Sequence, residues 1–275
     1  MNLLVFTDLD GILLDRGDYS YEGANGGLDR IFRQQIPMIF TTSKTRLEIE
    51  RLQADLQIHE PFIPENGAAI YFPDGYRNFK INNGFRQPPY TAIQLGAAYC
   101  EIRRFVYAVR ERFNVKGFGD LSVDEVVLLT GLPHEQAVMA KLREYTEPFL
   151  LEEETKIDEL AAIAASRGFK ITSGGRFFHL IGIRQDKGHA VRLCAEIFDK
   201  NMKGGVVTVG LGNSANDVAM LKSVDIPILL PHDDGTYEDI DISNIVKADH
   251  PGSRGWNNAI LQVVNSVDES KVNFG

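Results

Sequence analysis

The chain opens with Leu3-Leu4-Val5-Phe6 and then sets two carboxylates, Asp8 and Asp10, one residue apart ahead of Gly11. An apolar run without alternation reads as a parallel strand buried on both faces, and such a strand demands a sheet covered by helices. In open sheets of this kind ligands bind outside the carboxyl ends of the strands, where Asp8 and Asp10 fall. Residues at i and i+2 of a strand share one side, so an extended backbone continued through Asp10 would bring both carboxylates to one point. Like charges that close need a cation or a shared proton. Asp-Leu-Asp-Gly is equally a sequence that makes surface turns, because Asp and Gly both favour them.

With 275 residues, 44% of them hydrophobic, the chain can bury a sizeable core. It also reaches the range of roughly 250–300 residues where one core gives way to two. A core domain with a smaller companion is the expectation. The net charge of −9 disfavours nucleic acid and anionic membranes as partners. Arg103-Arg104 and Arg110-Glu111-Arg112 are too short and mixed to form a basic patch. No apolar run approaches the ~18 residues of a membrane span. An acid already at position 8 argues against a secretory leader. Two distant cysteines, Cys100 and Cys194, are too few for a disulfide framework, so a reduced, cytoplasmic setting is expected.

Strands and helices alternate through the first part of the chain. A helix is predicted over 26–35, with Leu28, Ile31 and Phe32 on one stripe, then a strand over 37–41. A second helix is predicted over 45–56, capped by Ser43 or Thr45, then strands at 62–63 and 68–72 joined by a tight turn at Asn66-Gly67. Gln87-Pro88-Pro89 reads as a hinge. Beyond it come a helix over 97–113, a capping box at Ser122–Glu125, and a helix running from Pro133 through Tyr145. Strands at 149–151, 170–172 and 177–181, with a helix over 158–166, complete an α+β segment. From Asp186 the alternation resumes: a helix after Lys187, a strand over 206–211, a helix over 214–224, a strand over 226–230 and a helix over 256–267. Pro227 fits an edge or the start of its strand, and a polar tail from Asp268 is expected to fray. The fold class expected is α/β, a doubly wound, mostly parallel core with an inserted α+β cap. Its boundaries are 1–85 and 186–275 for the core and 86–185 for the cap.

A strand-end acid at Asp8, a hydroxyl at Thr42 or Ser43 after a second strand, Lys187 at a helix start, and Gly212-Asn213-Ser214-Ala215-Asn216-Asp217 after a third strand stand in that order. Together they resemble the four motifs of the haloacid dehalogenase superfamily of phosphatases. Singly, Thr42-Ser43 is a helix cap and Lys187 a solvated lysine. The resemblance implies Asp8 as nucleophile, Asp10 as acid and base, Thr42 as donor to the phosphoryl group and Lys187 as its counter-charge. It further implies Mg2+ held by Asp8, Asp10, Asn213 and Asp217, with Asn216 binding neighbouring groups or the phosphate. Two positions depart from the family pattern. Ile12 replaces a threonine, and Asn213 stands where an aspartate is usual, so that an amide oxygen replaces a charged ligand.

Within that superfamily, Thr42-Ser43-Lys44-Thr45-Arg46, Glu65-Asn66-Gly67-Ala68-Ala69, Gly174-Gly175-Arg176-Phe177-Phe178-His179-Leu180, Asp186-Lys187-Gly188 and Gly210-Leu211-Gly212-Asn213 resemble the mannosyl-3-phosphoglycerate phosphatases. The implied reaction releases phosphate and mannosylglycerate, or its glucosyl counterpart, from a small molecule carrying a carboxylate and a phosphate. Such products serve as compatible solutes. Ser43, Lys44, Asn66, Ser173, Gly174 and Arg176 are the implied substrate-binding residues, Arg176 facing the carboxylate with a forked donor. His179 is read as a packed strand histidine or a donor to sugar hydroxyls, and Gly174-Gly175 as an anion cradle or a plain hairpin turn. A phosphomutase of the same superfamily, and a phosphosugar-binding protein weakened by Asn213, stand as the alternatives.

Overall fold

The structure, a computed structural model, describes residues 2–174 and 177–272. In chain order its elements begin with β1 (Asn2–Thr7), α1 (Asn25–Arg33), β2 (Met38–Thr41), α2 (Arg46–Asp55), β3 (Phe62–Ile63), β4 (Ala69–Pro73), β5 (Phe85–Gln87) and β6 (Tyr90–Gln94). There follow α3 (Tyr99–Phe113), β7 (Val115–Gly117), α4 (Val123–Thr130), α5 (His134–Lys141), β8 (Glu147–Leu151), α6 (Ile157–Ser166), β9 (Phe169–Gly174) and β10 (Phe177–Gly182). The last are α7 (Lys187–Asn201), β11 (Val206–Gly212), α8 (Val218–Leu221), β12 (Ile226–Leu229), β13 (Val246–Lys247) and α9 (Gly252–Val272). No helix of the described residues is long and apolar enough to cross a membrane. The chain divides into two compact units, one of Met1–Thr42, Gly75–Ile81 and Val191–Gly275, the other of Ser43–Asp74 and Asn82–Ala190.

In the first unit the strand order is β13-β12-β11-β1-β2, and every pairing is parallel. The opening apolar run lies between β11 and β2, with Leu4, Val5 and Phe6 fully buried, as an unalternating sequence requires. Pro227 is the second residue of β12, close to the start of its strand. Leu28 and Ile31 of α1 turn inward as expected, but Phe32 is 39% exposed and lies off the buried stripe. α9 begins four residues before Trp256 and continues as helix through Asp268 to Val272, where a fraying tail was expected. Trp256, fully buried, donates its indole N–H to Thr7 Oγ1 at 3.1 Å and so ties α9 to the end of β1. The helix expected over 214–224 shortens to a 3-10 turn, Ala215–Asp217, followed by α8. The Asp217 carboxylate caps that turn by accepting from Ser214 N at 3.2 Å.

In the second unit β3, β4, β6 and β5 pair antiparallel in that order. Gln87 pairs with Tyr90, so Pro88-Pro89 forms the turn of the β5–β6 hairpin rather than a hinge. A separate antiparallel sheet runs β7-β8-β10-β9. Phe149, Phe178 and Leu180 on one of its faces pack with Ile102, Phe105 and Val106 of α3 and with Leu160 of α6. This is the stripe the helical spacing of 97–113 predicted. The capping box at Ser122 forms as expected, Ser122 N donating to Glu125 at 2.7 Å and Glu125 N donating to Ser122 Oγ at 3.2 Å. α5 stops at Lys141 instead of reaching Tyr145. The N–H groups of Glu144 and Tyr145 donate to the Glu65 carboxylate at 2.8 and 3.2 Å, and so are withdrawn from any helix.

Glu65 stands in a turn of three consecutive left-handed residues, Glu65 (φ +47), Asn66 (φ +59) and Gly67 (φ +86). Glycine alone fits the third position, because a Cβ there would overlap the Asp186 carbonyl and approach Lys187 N to 2.8 Å. Gly67→Ala combines a disfavoured φ with a backbone clash, and strain of this kind costs roughly 1–3 kcal/mol. Denaturant unfolding should show a loss of at least that size. An unchanged midpoint would mean that the turn and the start of α7 are not packed as described.

Candidate active site

The catalytic-type residues of the first unit collect at the carboxyl ends of three parallel strands. Thr7 is level with Leu211 of β11 and Phe40 of β2, so Asp8, Thr42 and the loop from Asn213 all follow strand ends on one edge. Asp8 N donates to Leu211 O at 3.0 Å, which extends the β1–β11 ladder by one bond. The extended conformation then stops, short of the Asp10 that convergence of the two carboxylates would need. Leu9 N turns back to Asp8 Oδ1 at 2.8 Å, Ile12 N and Leu14 N both donate to Leu9 O at 3.1 and 2.9 Å, and Gly11 adopts φ +73. Asp8 and Asp10 are therefore set by a tight turn closing on the strand end, not by strand alternation. Asp8 is buried and Asp10 half-buried.

The loop after β11 is fastened to that turn. Asn213 Nδ2 donates to Gly11 O at 3.1 Å, which fixes the amide so that its oxygen is the face left to accept. Asp217, fully buried, accepts through Oδ2 from Asn213 N at 3.0 Å and from Ser214 Oγ at 3.1 Å. Gly212 lets this carboxylate approach, since a Cβ there would meet Asp217 Cγ at 2.7 Å. Ser214 Oγ also donates to Asn216 Oδ1 at 2.5 Å. Thr42 is fully buried at the end of the β2 segment.

The second unit holds the remaining predicted positions. Thr45, not Ser43, caps α2: Thr45 Oγ1 accepts from Glu48 N at 3.3 Å and Glu48 accepts from Thr45 N at 2.9 Å. Lys44 is buried with its ammonium 3.7 Å from Glu48. Lys44 O accepts from Glu65 N at 2.9 Å, Glu65 O accepts from Gln185 Nε2 at 2.5 Å, and the Gly67 turn abuts Asp186-Lys187. One turn thus joins Lys44, Asn66 and Lys187, the last of which is buried at the first residue of α7. Ser173 and Gly174 lie at the end of β9, Ser173 exposed and Gly174 paired with Phe177. Arg176, like Gly175, lies outside the described residues.

Two residues of this unit carried no role in the sequence reading. Glu65 is fully buried, and besides its two backbone donors accepts from Thr146 Oγ1 at 2.6 Å, while burial pushes its pKa above the usual carboxylate range. The signal available was an acid in a short turn between two apolar runs. Arg143 donates to Ser43 O at 2.6 Å from a segment whose sequence shows nothing beyond a helix end. His179 is packed as expected, but its ring is not fully satisfied, because Nδ1 has no hydrogen-bond partner among the described residues. Burial, with the charges of Arg143 and Lys187, pushes it from 6.5 down to about 3. It therefore stays neutral when folded, whereas the unfolded chain takes up that proton below about 6.5, so acid favours unfolding through this group between 6.5 and about 3. Stability measured across that window should fall less steeply in His179→Gln than in the wild type. Parallel slopes would contradict the buried, neutral histidine.

Residues 5–83 match the model of a haloacid dehalogenase-like hydrolase family. A Persephonella marina protein named glucosyl-3-phosphoglycerate/mannosyl-3-phosphoglycerate phosphatase is 49% identical, covering 97% of this chain and 98% of its own. One of the same name from Methanococcoides burtonii is 41% identical over 96% and 98% of the two chains. Among solved structures, the sucrose-phosphatase of Synechocystis, in complex with sucrose and phosphate, superposes with a TM-score of 0.62 at 14% identity over 95% and 98% of the chains. A Thermoplasma acidophilum protein gives 0.69 at 17% identity over 95% and 98%. At such identities these two speak for the fold, a mixed α/β architecture with a mostly parallel sheet and a separate antiparallel one. The strand-end acids, the hydroxyl after β2, the lysine opening α7 and the near-full-length relatives agree: the chain belongs to the haloacid dehalogenase-like hydrolases, in the company of their mannosyl- and glucosyl-3-phosphoglycerate phosphatases.

Proposed function

We propose that this chain is a magnesium-dependent phosphatase that hydrolyses mannosyl-3-phosphoglycerate, or its glucosyl counterpart, through an aspartyl-phosphate on Asp8. The observation that carries the reading is the near-full-length likeness to a phosphatase named for both substrates. The segment 86–185 is taken as a cap on a core of 1–85 and 186–275, in keeping with its own antiparallel sheet and buried cluster. The setting is taken as cytoplasmic, in keeping with two distant cysteines, Cys100 and Cys194, that form no disulfide.

In the first step the Asp8 carboxylate attacks phosphorus and the bond from phosphorus to the glycerate oxygen breaks. Asp10 gives its proton to that oxygen. Water then attacks phosphorus, Asp10 takes the proton back, and Asp8 leaves as a carboxylate with phosphate released. The Leu9 N–H on Asp8 Oδ1 fixes the carboxylate plane for this attack. Thr42, with Ser43 as the alternative hydroxyl, donates to the transferring group, and Lys187 offsets its charge.

Asp8, Asp10, Asn213 and Asp217 present oxygen donors alone, which is the chemistry magnesium takes. Among the described residues no three acidic, histidine or cysteine side chains form a ready cage. Magnesium is commonly held by one or two carboxylates, with neutral oxygens and waters completing its shell. Asn213, its amide nitrogen spent on Gly11 O, offers the neutral oxygen, and Asp217 orients the loop through Oδ2. Bound there, magnesium would screen the anionic phosphoryl group from the attacking carboxylate.

Phosphate release should be measured with magnesium on mannosyl- and glucosyl-3-phosphoglycerate, simple sugar phosphates and an activated aryl phosphate. The glycosylglycerate phosphates should turn over fastest. Release from none of them, or transfer to a sugar without free phosphate, would refute the reading. Asp10→Asn should lose ~10²–10⁴ on the sugar-derived esters, whose alkoxide needs a proton, and far less on the aryl ester. Equal losses would make Asp10 structural.

A further inference from the structure

Helices α3 and α6 cover one face of the β7-β8-β10-β9 sheet, and a groove runs between them. Arg112, in the last turn of α3, forms an ion pair with Glu159, in the first turn of α6, and ties the helices together at that end. Toward the other end the groove encloses about 640 Å³, a volume in the range that holds a drug-sized molecule. Its floor is made by Phe105, Val109 and Phe169, which each keep 8% exposure, where Ile102 and Ala164 of the same core cluster keep none. The Phe105 and Phe169 rings meet at 5.3 Å with a tilt of 47°. At the mouth Gly168 adopts φ +83, and a Cβ there would have no atom within 4 Å.

The walls carry charges that no partner within the protein neutralises. Glu101, Arg104, Phe105, Ala108 and Val109 recur at the spacing of one helical face, so α3 sets Arg104 along the groove. Arg167 lines it from just past the end of α6. Among the described residues no carboxylate pairs with Arg104 or Arg167. The neighbouring arginines are engaged: Arg103 pairs with Asp120 and Glu147, and the Arg110 guanidinium lies 4.0 Å from the centroid of the Tyr107 ring. Glu101 is the one acid of the lining, so the two arginines leave the groove net positive in a chain of net charge −9. An apolar floor built on an aromatic pair and flanked by two unpaired guanidiniums matches a flat apolar body that carries one negative charge.

We infer that this groove is a binding site for a small aromatic carboxylate, its ring lying against Phe105 and Phe169 and its anionic group facing Arg104 and Arg167. Every residue of the lining lies within Asn82–Ala190 of one compact unit, and the inference is independent of the phosphatase reading. Both arginines are exposed. Each therefore strengthens binding only by the modest factor of a solvated ion pair, and burial of the ring against the floor supplies the rest.

The test is methyl NMR on the full chain, titrated with naphthoate and, separately, with naphthylmethanol, which keeps the rings and lacks the charge. Naphthoate should shift the methyl signals of Val109 and Ile163 saturably and leave those of Val5 and Ile39 in the parallel sheet unmoved. Naphthylmethanol should bind several-fold more weakly. Arg104→Gln and Arg167→Gln change exposed side chains, and each should weaken naphthoate roughly 2–5-fold while leaving naphthylmethanol unaffected. Ala108→Trp, which adds a bulky ring to the groove from an exposed position, should remove both responses. Equal binding of the two probes, indifferent to both arginine substitutions, would overturn the anion assignment. Absence of saturable shifts at Val109 and Ile163, or shifts that persist in Ala108→Trp, would overturn the site itself.

Discussion

The parallel register of β1 between β2 and β11 is the constraint on which the rest depends. It puts Asp8, Thr42 and the Asn213 loop at the same level, each one step beyond a strand end. That level is held by hydrogen bonds just beyond the strand ends, which a one-residue slip would break. The bonds that follow are short-range and polar: Asp8 N to Leu211 O, Leu9 N to Asp8 Oδ1, and Asn213 Nδ2 to Gly11 O. They convert a strand terminus into a turn with oriented oxygens. The fully buried Trp256, bonded to Thr7 Oγ1, secures the same strand end from α9.

In the second unit one buried carboxylate ties separate segments together. Glu65 gathers the amides of Glu144 and Tyr145 and the hydroxyl of Thr146, while its own backbone reaches Lys44 and Gln185. The three left-handed residues at 65–67 are the cost of reaching all of these from one turn. Strain of this kind persists only where the surroundings over-determine it, and here hydrogen bonds converge from three separate segments. Arg143 joins the same network through Ser43 O, which places a cation beside residues that the sequence had marked for substrate.

The regular elements were legible in the sequence because their signals are local. The unalternating run at 3–6 and the stripe from Ile102 to Phe113 each specify burial directly, and both are buried as read. The failures were of two kinds. Phe32 sits beside Ile31 on α1, and three apolar residues in five leave open which pair points inward; the face that is covered is the one packed on α9, far along the chain. The false helix through Tyr145 and the false hinge at Pro88-Pro89 fail because backbone donors were claimed by distant partners, Glu65 in one case and a paired β-strand in the other. Site motifs were legible as an ordered set of residue types, whereas Glu65 and Arg143 have no local pattern. Their meaning lies in contacts across 21 to 120 residues of chain.

The central claim is that Asp8 carries the phosphoryl group covalently. An acyl phosphate is reduced by borohydride to an alcohol, so quenching the wild type with borohydride during turnover and sequencing its peptides by mass spectrometry tests the claim directly. Conversion of Asp8 to homoserine, dependent on substrate and magnesium, is the predicted result. A peptide containing unaltered Asp8 under conditions of rapid phosphate release, or reduction at another carboxylate, would contradict it.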